Sequence, residues 1–279
     1  MKTSLMQLLV HLDASPRAAQ RLGLARQLGQ RHGAAVAALY AATPSFVELP
    51  FAPEVGPGIA AALREIDDEQ LARARATFDQ LQASPGVRTT WAEVLGDPVM
   101  ATFAQQALYA DLLMLGQHNP SGTEPAHVPA DFVETVMAIS GKPALILPYA
   151  AMPLAVGETV VIAWKPTREA ARAVDAAMPL LRDARRVHVV SWASEEAVIG
   201  GERLDLNGYL KLHGVEATWH SQGEEPEELG ELLLSCAFDL EADLLVMGCY
   251  GHSRAREWLL GGTSRAVLRS MTLPVLMAH

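Results

Sequence analysis

The sequence predicts an α/β protein made of two tandem copies of one fold, each with a parallel sheet that carries helices on both faces. Short apolar runs alternate with segments of helical periodicity, which is the pattern of strand–helix–strand units. The pattern restarts at Val160, and a repeat of domain length indicates two copies of one domain. The predicted domains are residues 1–148 and 157–279, joined by Pro148–Gly157.

The first half begins with an apolar run, Leu8–Leu12, that ends at Asp13. Ser15 is the expected N-cap of the first helix, with Pro16 at its first position, and Gly33 is the expected stop. The remaining predicted elements are a strand at Ala35–Tyr40, a surface excursion at Thr43–Pro57, a helix near Ile59–Leu81, a strand-like run at Val87–Val94, a turn at Gly96–Pro98, a helix at Val99–Tyr109 and a strand at Asp111–Leu115 ending at Gly116.

The second half gives the same signals in the same order. Val160–Trp164 leads into Lys165-Pro166-Thr167, as the first strand leads into Asp13-Ala14-Ser15. The other corresponding features are Trp91 with Trp219, Gly96-Asp97-Pro98 with Gly223–Pro226, Ala110–Gly116 with Ala242–Gly248, and Lys142–Leu147 with Leu273–Met277. The ends of parallel strands are where such sheets bind ligands, so Asp13, Lys165, Gly116 and Gly248 stand at candidate positions.

Composition restricts the class of function. The chain of 279 residues carries a formal charge of −10 and has a pI near 5.4, which argues against nucleic acid and anionic membranes as partners. Its two cysteines, Cys236 and Cys249, have neither metal-ligand spacing nor a disulfide framework. The N-terminal apolar run meets Asp13 too soon for a signal peptide, and no run is long enough to span a membrane. A cytoplasmic protein is predicted.

The stretch Gly248–Ser264, GCYGHSRAREWLLGGTS, lies between a predicted buried strand and a helix at Arg265–Met271. Glycines let backbone N–H groups approach an anion, and a helix N-terminus supplies further donors and partial positive charge. This stretch and the residues just after it contain four arginines but only one acid, Glu257. The excess of positive charge favours a phosphate-bearing ligand. The alternative is structural, with glycines that only end a strand and cap a helix.

The glycine spacing resembles the nucleotide loop of the universal stress protein family. That family has glycine, two residues, glycine, nine residues, glycine and then serine or threonine. Here the glycines are Gly248, Gly251 and Gly261, but Gly262 takes the place of the serine or threonine. The hydroxyl groups follow one and two residues later, at Thr263 and Ser264.

The resemblance covers nearly the whole chain and implies an architecture. It implies the universal stress protein/adenine nucleotide alpha hydrolase-like fold, with an open five-stranded sheet in each domain. It also implies that the strands near Pro143 and Pro274 pair within one chain as an intramolecular pseudo-dimer, which would cover two sheet edges. On family grounds, a homodimer of the two-domain chain is expected.

The resemblance also implies the site residues. In family members that bind ATP, an acid at the end of the first strand serves the nucleoside and the glycine loop takes the phosphates. The first half keeps Asp13, but its loop after Gly116 lacks the glycine spacing and carries Glu124, Asp131 and Glu134, so it is predicted not to bind. The candidate nucleotide-binding residues of the second half are Trp164, Lys165, Gly248, Gly251, His252, Gly261, Gly262, Thr263 and Ser264.

Together these features predict a stress-response binding or regulatory module that holds ATP with Mg²⁺, or a related adenine nucleotide, in its second domain. The alternative is a nucleotide-free interaction protein in which both sites have decayed, since Lys165 cannot accept hydrogen bonds as the family's acid does. Slow ATP hydrolysis ranks last because no general base lies near the loop. The protein is therefore predicted not to be an enzyme, with no catalytic residues and no metal-ligand set.

Overall fold

A computed structural model describes residues 4–45, 47, 56–94, 98–120, 127–150, 155–192, 201–223, 226, 228–249 and 262–279. These residues form ten strands and eight helices in the alternation that the sequence predicts. The chain divides into two compact units, Leu5–Lys142 and one built on Pro143–His279. Most of the predicted excursion at Thr43–Pro57, and the Gly96-Asp97 turn, lie outside the described residues.

The first unit has four strands and four helices. In chain order they are β1 (Gln7–Leu12), α1 (Ala18–His32), β2 (Ala35–Tyr40), α2 (Pro57–Gln82), β3 (Thr89–Glu93), α3 (Val99–Ala107), β4 (Leu112–Gly116) and α4 (Phe132–Ser140). The strands are parallel in the order β3-β2-β1-β4. Their apolar residues are nearly all buried in β1, β2 and β4, as expected for a sheet covered on both faces.

The second unit repeats this arrangement and adds two strands. Its elements are β5 (Ala144–Leu147), β6 (Thr159–Trp164), α5 (Arg168–Asp183), β7 (Arg186–Trp192), α6 (Leu206–Leu212), β8 (Thr218–Gln222), α7 (Leu229–Asp239), β9 (Leu244–Gly248), α8 (Gly262–Ser270) and β10 (Val275–Ala278). The strand order is β5-β10-β9-β6-β7-β8. All pairs are parallel except β5 with β10.

The antiparallel pair of β5 and β10 confirms the predicted pairing of the strands near Pro143 and Pro274. Ile146 lies opposite Val275 and Leu145 opposite Leu276, and all four side chains are fully buried. Each repeat thus supplies five strands, β1–β5 and β6–β10, as predicted. The domain boundaries 1–148 and 157–279 stay a prediction, because contacts group β5 with the second unit whereas sequence places it in the first repeat.

An aspartate fixes the start of the first strand in both repeats. The Asp111 carboxylate accepts hydrogen bonds from the backbone N–H groups of Met6 at 2.8 Å and Gln7 at 2.9 Å. In the second repeat, Asp243 accepts from the backbone of Glu158 at 2.9 Å and from its two neighbours at 3.1 Å. The same contact in both halves supports the reading of the chain as a repeat.

The predicted N-cap at Ser15 is wrong. Helix α1 begins at Ala18 after Arg17, whose side chain makes no capping bond. The Ser15 backbone N–H and hydroxyl instead donate to Asp13 Oδ1, at 3.0 and 2.5 Å, so this serine serves the carboxylate rather than the helix. The corresponding residue of the second repeat, Thr167, is a true N-cap, since its hydroxyl accepts from the Ala170 N–H at 3.2 Å.

Two further absences hold for the described part of the chain. None of its helices is long and apolar enough to cross a membrane. Nor does it bring three histidine, cysteine or acidic side chains together in a group that could hold a metal ion. Both Cys236 and Cys249 are free.

Candidate functional site

The candidate site lies at the carboxyl edge of the second sheet, where β6, β9 and β10 end. Trp164 is the last residue of β6 and is half-buried, and Lys165 follows it at an exposed position. Gly248 ends β9. The predicted residues Gly251, His252 and Gly261 lie outside the described residues.

The chain re-enters the described structure at Gly262, the first residue of α8. Gly262 is exposed, and a Cβ atom there would meet nothing within 4 Å. Thr263 is half-buried, whereas Ser264 is only 4% exposed and belongs to the packed face of α8. Of the two predicted hydroxyl groups, that of Thr263 is therefore the more accessible.

Gly248 has a structural role that does not depend on a ligand. A Cβ atom there would lie 2.5 Å from the Ala170 backbone nitrogen and 2.7 Å from the Glu169 carbonyl carbon. These distances are shorter than van der Waals contact, so only glycine lets the first turn of α5 pack directly on the end of β9. Gly248 is therefore required for packing whether or not the loop also binds a phosphate.

A buried acid that was not predicted lies beside this contact. Glu169, in the first turn of α5, is 4% exposed and forms an ion pair with the Arg168 guanidinium. Burial alone would raise its pKa, but hydrogen bonds from Arg168 and from its own backbone, with the charges of Arg168 and His279, lower the pKa instead. An ionised carboxylate held by a guanidinium is a poor general base, because its affinity for a proton is low.

The end of the sheet is held together by further polar contacts. Arg172 Nη1 donates to the backbone oxygen of His279 at 2.8 Å, which ties α5 to β10. The His279 ring nitrogen Nδ1 lies 3.4 Å from the Cys249 carbonyl oxygen. Burial, and then the charge of Glu169, raise the pKa of the Cys249 thiol, so this cysteine is protonated at neutral pH and is not a nucleophile.

The first turns of α8 are packed against another helix through a glycine. A Cβ atom at Gly230, in the first turn of α7, would lie 2.7 Å from Ala266 Cβ and 3.0 Å from the Thr263 carbonyl oxygen. The absence of that Cβ sets how closely α7 approaches the start of α8. Gly230 therefore fixes the position of the backbone N–H groups that begin α8.

We expect Gly230→Ala to lower the free energy of unfolding by about 1–3 kcal/mol, because the added methyl group overpacks this contact. Ala266→Gly in the same chain should restore part of the loss by removing the atom at 2.7 Å. Urea unfolding measures both effects. The matched control is Gly23→Ala, a helical glycine whose added Cβ would meet nothing within 4 Å, and equal stability of the two alanine variants would contradict the prediction.

Comparison with known proteins finds a family that resembles this unit. The model of the universal stress protein family matches residues 158–279. Over these residues the chain is similar to that family. No curated protein matches the chain.

Solved structures extend the likeness of fold to the whole chain. A universal stress protein from Archaeoglobus fulgidus DSM 4304 is 17% identical, with 98% of this chain and 95% of that one covered at a TM-score of 0.69. A protein of unknown function from Pseudomonas aeruginosa PAO1 is 16% identical, with 98% and 92% covered at a TM-score of 0.56. At these identities the likeness concerns the fold alone.

A buried ion pair lies at the carboxyl end of the strands of the first unit. Asp13 is 6% exposed, and its Oδ2 lies 3.1 Å from Arg21 Nη2, while Ser15 donates to Oδ1. Arg21 is 2% exposed and also donates from Nε to the His11 carbonyl oxygen at 2.7 Å. Both oxygens of the predicted acid are therefore already engaged inside the protein.

Gly116 makes room for this ion pair. A Cβ atom there would lie 2.4 Å from Arg21 Nη1, so the guanidinium occupies the space that a side chain would take. Burial alone would raise the pKa of Asp13, but the charge of Arg21, with smaller contributions from His11 and Ser15, lowers it to about 2. A glycine ends the corresponding strand in both repeats and leaves room for a neighbour. The neighbour is the Arg21 side chain at Gly116 and the first turn of α5 at Gly248.

His11 completes the buried cluster. Its Nε2 lies 2.8 Å from the Ala41 carbonyl oxygen, and its ring stacks on Phe132 with centroids 4.2 Å apart. Burial, with a contribution from Arg21, lowers the pKa of His11 to about 4, although Asp13 opposes the shift. A neutral imidazole that donates from Nε2 suits these contacts.

Three acids follow Gly116 in the sequence, and the structure describes two of them. Asp131 lies directly before α4 and accepts from the Thr135 hydroxyl at 3.1 Å, and Glu134 belongs to the first turn of that helix. Glu124 lies outside the described residues. Acids at the start of α4 are favourable for the helix dipole, which is an intramolecular reason for two of the three charges.

Proposed function

We propose that this protein is a cytoplasmic stress-response module whose second domain binds ATP with Mg²⁺, or a related adenine nucleotide, through the Gly248–Ser264 stretch. The observation that carries the proposal is the family match over this domain, together with a glycine spacing that joins the end of β9 to the start of α8. Ligands of open α/β sheets bind at this edge. Nucleotide occupancy would bias the packing of the chain or its contact with a partner.

The described residues fit a phosphate at the start of α8. Gly262 is exposed, and none of the atoms that the structure describes lies within 4 Å of a Cβ position there, apart from its chain neighbours and the backbone of its own helix. Backbone N–H groups of Gly262 and Thr263 would meet a phosphate there, and Gly251, Gly261 and His252 would complete the loop. Trp164 and Lys165, at the end of β6, would face the other part of the ligand, with the ammonium group of Lys165 supplying a positive charge.

The first domain is proposed not to bind nucleotide. Its strand-end acid, Asp13, already accepts from Ser15 and pairs with Arg21, so a ribose would have to displace a buried ion pair. Displacing one partner of such a pair leaves the other charge buried and uncompensated, which typically costs about 3–5 kcal/mol. Only one nucleotide per chain is therefore proposed.

Protein purified without added nucleotide tests the proposal. After denaturation, the supernatant is analysed by chromatography with mass detection, and the native protein is titrated with ATP and Mg²⁺ by calorimetry. We expect adenine nucleotide in the supernatant or a heat of binding close to one per chain. In Gly251→Asp we expect affinity to fall by at least tenfold, because the carboxylate would repel the phosphates.

The matched control is Gly58→Asp, which adds the same charge at an exposed position in the first turn of α2 where no atom lies within 4 Å of the Cβ. It should bind as the unchanged protein does. An empty supernatant with no heat of binding would overturn the proposal for ATP. Equal loss in both variants would mean that the effect comes from added charge and not from the loop.

A second candidate is a nucleotide-free interaction protein that acts through homodimerisation and partner surfaces. Two observations favour it: an exposed Lys165 stands where the family has an acid, and the backbone and Cβ of the buried acid Glu169 lie beside Gly248. A lysine cannot accept from ribose hydroxyls, and a nearby carboxylate disfavours phosphate. If no nucleotide binds, the molar mass in solution becomes the next measurement, with a homodimer expected.

A further inference from the structure

Two histidines on neighbouring strands share a hydrogen bond at the free edge of the second sheet. His188 Nδ1, on β7, lies 3.0 Å from His220 Nε2, on β8. The rings are part-buried, with centroids 5.2 Å apart. Within the described residues the other nitrogen of His188, Nε2, is buried and has no hydrogen-bond partner.

The bond requires at least one ring to be neutral. One nitrogen must donate and the other must accept, so two neutral rings can form it. Two imidazolium rings carry only N–H groups, and these would point at each other with two positive charges. Protonation at His188 Nε2 would moreover create a buried N–H group without an acceptor, which is costly.

The surroundings add positive charge rather than compensation. Arg186 lies two residues before His188 on β7, and therefore on the same face of the sheet. Its Nη2 pairs with the exposed Glu241 at 3.2 Å, and its Nε donates to Thr159 Oγ1. Burial, His220 and Arg186 all lower the pKa of His188. The strand neighbours of His188 are the apolar Val161 and the uncharged Thr218.

Strand β8 is held by few other contacts. It pairs with β7 on one side, and four of its five residues are exposed, including Trp219 at 40%. The edge strand of the first repeat is covered differently, since Trp91 on β3 packs on Phe78 at 5.2 Å and lies under the Arg75 guanidinium at 5.2 Å. The histidine pair is thus a side-chain hydrogen bond that joins β8 to β7 in addition to their backbone pairing.

We propose that His188 and His220 form a proton-sensitive latch, which holds the edge strand β8 on β7 at neutral pH and releases it on acidification. The direction follows from linkage. His188 in the fold binds a proton more weakly than a free histidine of pKa near 6.5, so the stabilisation is complete above that pH and is lost as the pH falls below it. Release would expose the edge of β7, and the inference does not depend on nucleotide binding.

Hydrogen–deuterium exchange of the full chain, corrected for the intrinsic effect of pH, tests the latch. Between pH 7.5 and 5.5 we expect exchange in residues 218–222 to rise by up to about tenfold per pH unit for each proton taken up. In His220→Gln the rise should disappear, because the glutamine amide oxygen can accept from the His188 Nδ1–H but the side chain binds no proton. The control is His118→Gln, the same change at an exposed histidine, which should keep the rise.

Nitrogen-15 NMR of the imidazole rings supplies a second measurement that does not depend on how any variant folds. We expect the titration of His188 to be displaced below pH 6.5 and to depend on the protonation of the neighbouring ring. Independent titration of both rings near pH 6.5 would overturn the proposal. So would exchange at residues 218–222 that rises equally in the unchanged protein and in His220→Gln.

Discussion

Replacing Arg21 by alanine is expected to lower the free energy of unfolding by about 3–5 kcal/mol, the usual cost of removing one partner of a buried ion pair. Arg21 and Asp13 are almost completely buried, and their side chains meet at 3.1 Å. Without the guanidinium, the Asp13 carboxylate keeps only its hydrogen bonds from Ser15. The truncation also leaves an unfilled space beside Gly116, which adds to the cost.

Variants at the same cluster separate charge from packing. Arg21→Met keeps most of the volume but not the charge, so most of the loss should remain. Combining Arg21→Ala with Asp13→Asn should cost less than the sum of the two single changes, since the double variant buries no unpaired charge. Urea unfolding followed by circular dichroism measures each free energy.

The control for this series is Arg17→Ala. Arg17 lies four residues before Arg21, just before α1, and its Nη1 donates to the Gln20 side chain at 2.9 Å on the surface. Surface contacts of this kind contribute little, so a change within about 0.5 kcal/mol is expected. If Arg21→Ala costs no more than Arg17→Ala, the buried ion pair does not stabilise the first unit.

Much of the fold could be predicted because each element leaves a local pattern. The apolar run at Ala35–Tyr40 matches β2 residue for residue, and Gly33 ends α1 in the left-handed conformation that favours glycine. The pairing of β5 with β10 followed from the family resemblance and is confirmed. Helix α4 was not predicted, although the buried apolar residues Phe132, Val133, Val136 and Met137 have helical spacing, because the segment was interpreted as part of the degenerate loop after Gly116.

The candidate site was predicted only as far as a linear motif reaches. Asp13, Lys165 and Gly248 stand next to strand ends, and position along the chain is enough to find them. Arg21 and Glu169 were not found, since each lies in the first turn of a helix, outside any linear motif. Their roles depend on proximity in three dimensions: the Arg21 guanidinium occupies the space beside Gly116, and the first turn of α5 packs on Gly248.

Acidification is expected to destabilise the first unit through His11, between pH 6.5 and about 4. Burial lowers the pKa of His11 from 6.5 to about 4. The unfolded chain therefore binds a proton in this range while the folded protein does not, so the free energy of unfolding is highest above pH 6.5 and decreases as the pH falls. A shift of this size corresponds to about 3 kcal/mol when the pH has passed below both values.

Asp13 does not contribute over most of this range. Its pKa is lowered from 3.8 to about 2, so its stabilisation is complete above pH 3.8 and is lost only as the pH falls from there towards 2. The acid sensitivity above pH 4 can therefore be assigned to histidine rather than to the ion pair with Arg21. The contact between His188 and His220 is also expected to respond to acidification, but its effect is expected in residues 218–222 of the other unit.

His11→Gln separates the two effects. The glutamine amide can donate to the Ala41 carbonyl as the imidazole does, but it binds no proton between pH 4 and 7. At pH 7.5 the variant should be less stable than the unchanged protein, because it lacks the stacking of the imidazole on Phe132. Its free energy of unfolding should decrease less between pH 7.5 and pH 5. Urea unfolding at the two pH values measures this, with hydrogen exchange at residues 7–12 as the local readout. An identical pH dependence in both proteins would show that His11 is protonated in the fold without cost, and would contradict the neutral, buried imidazole.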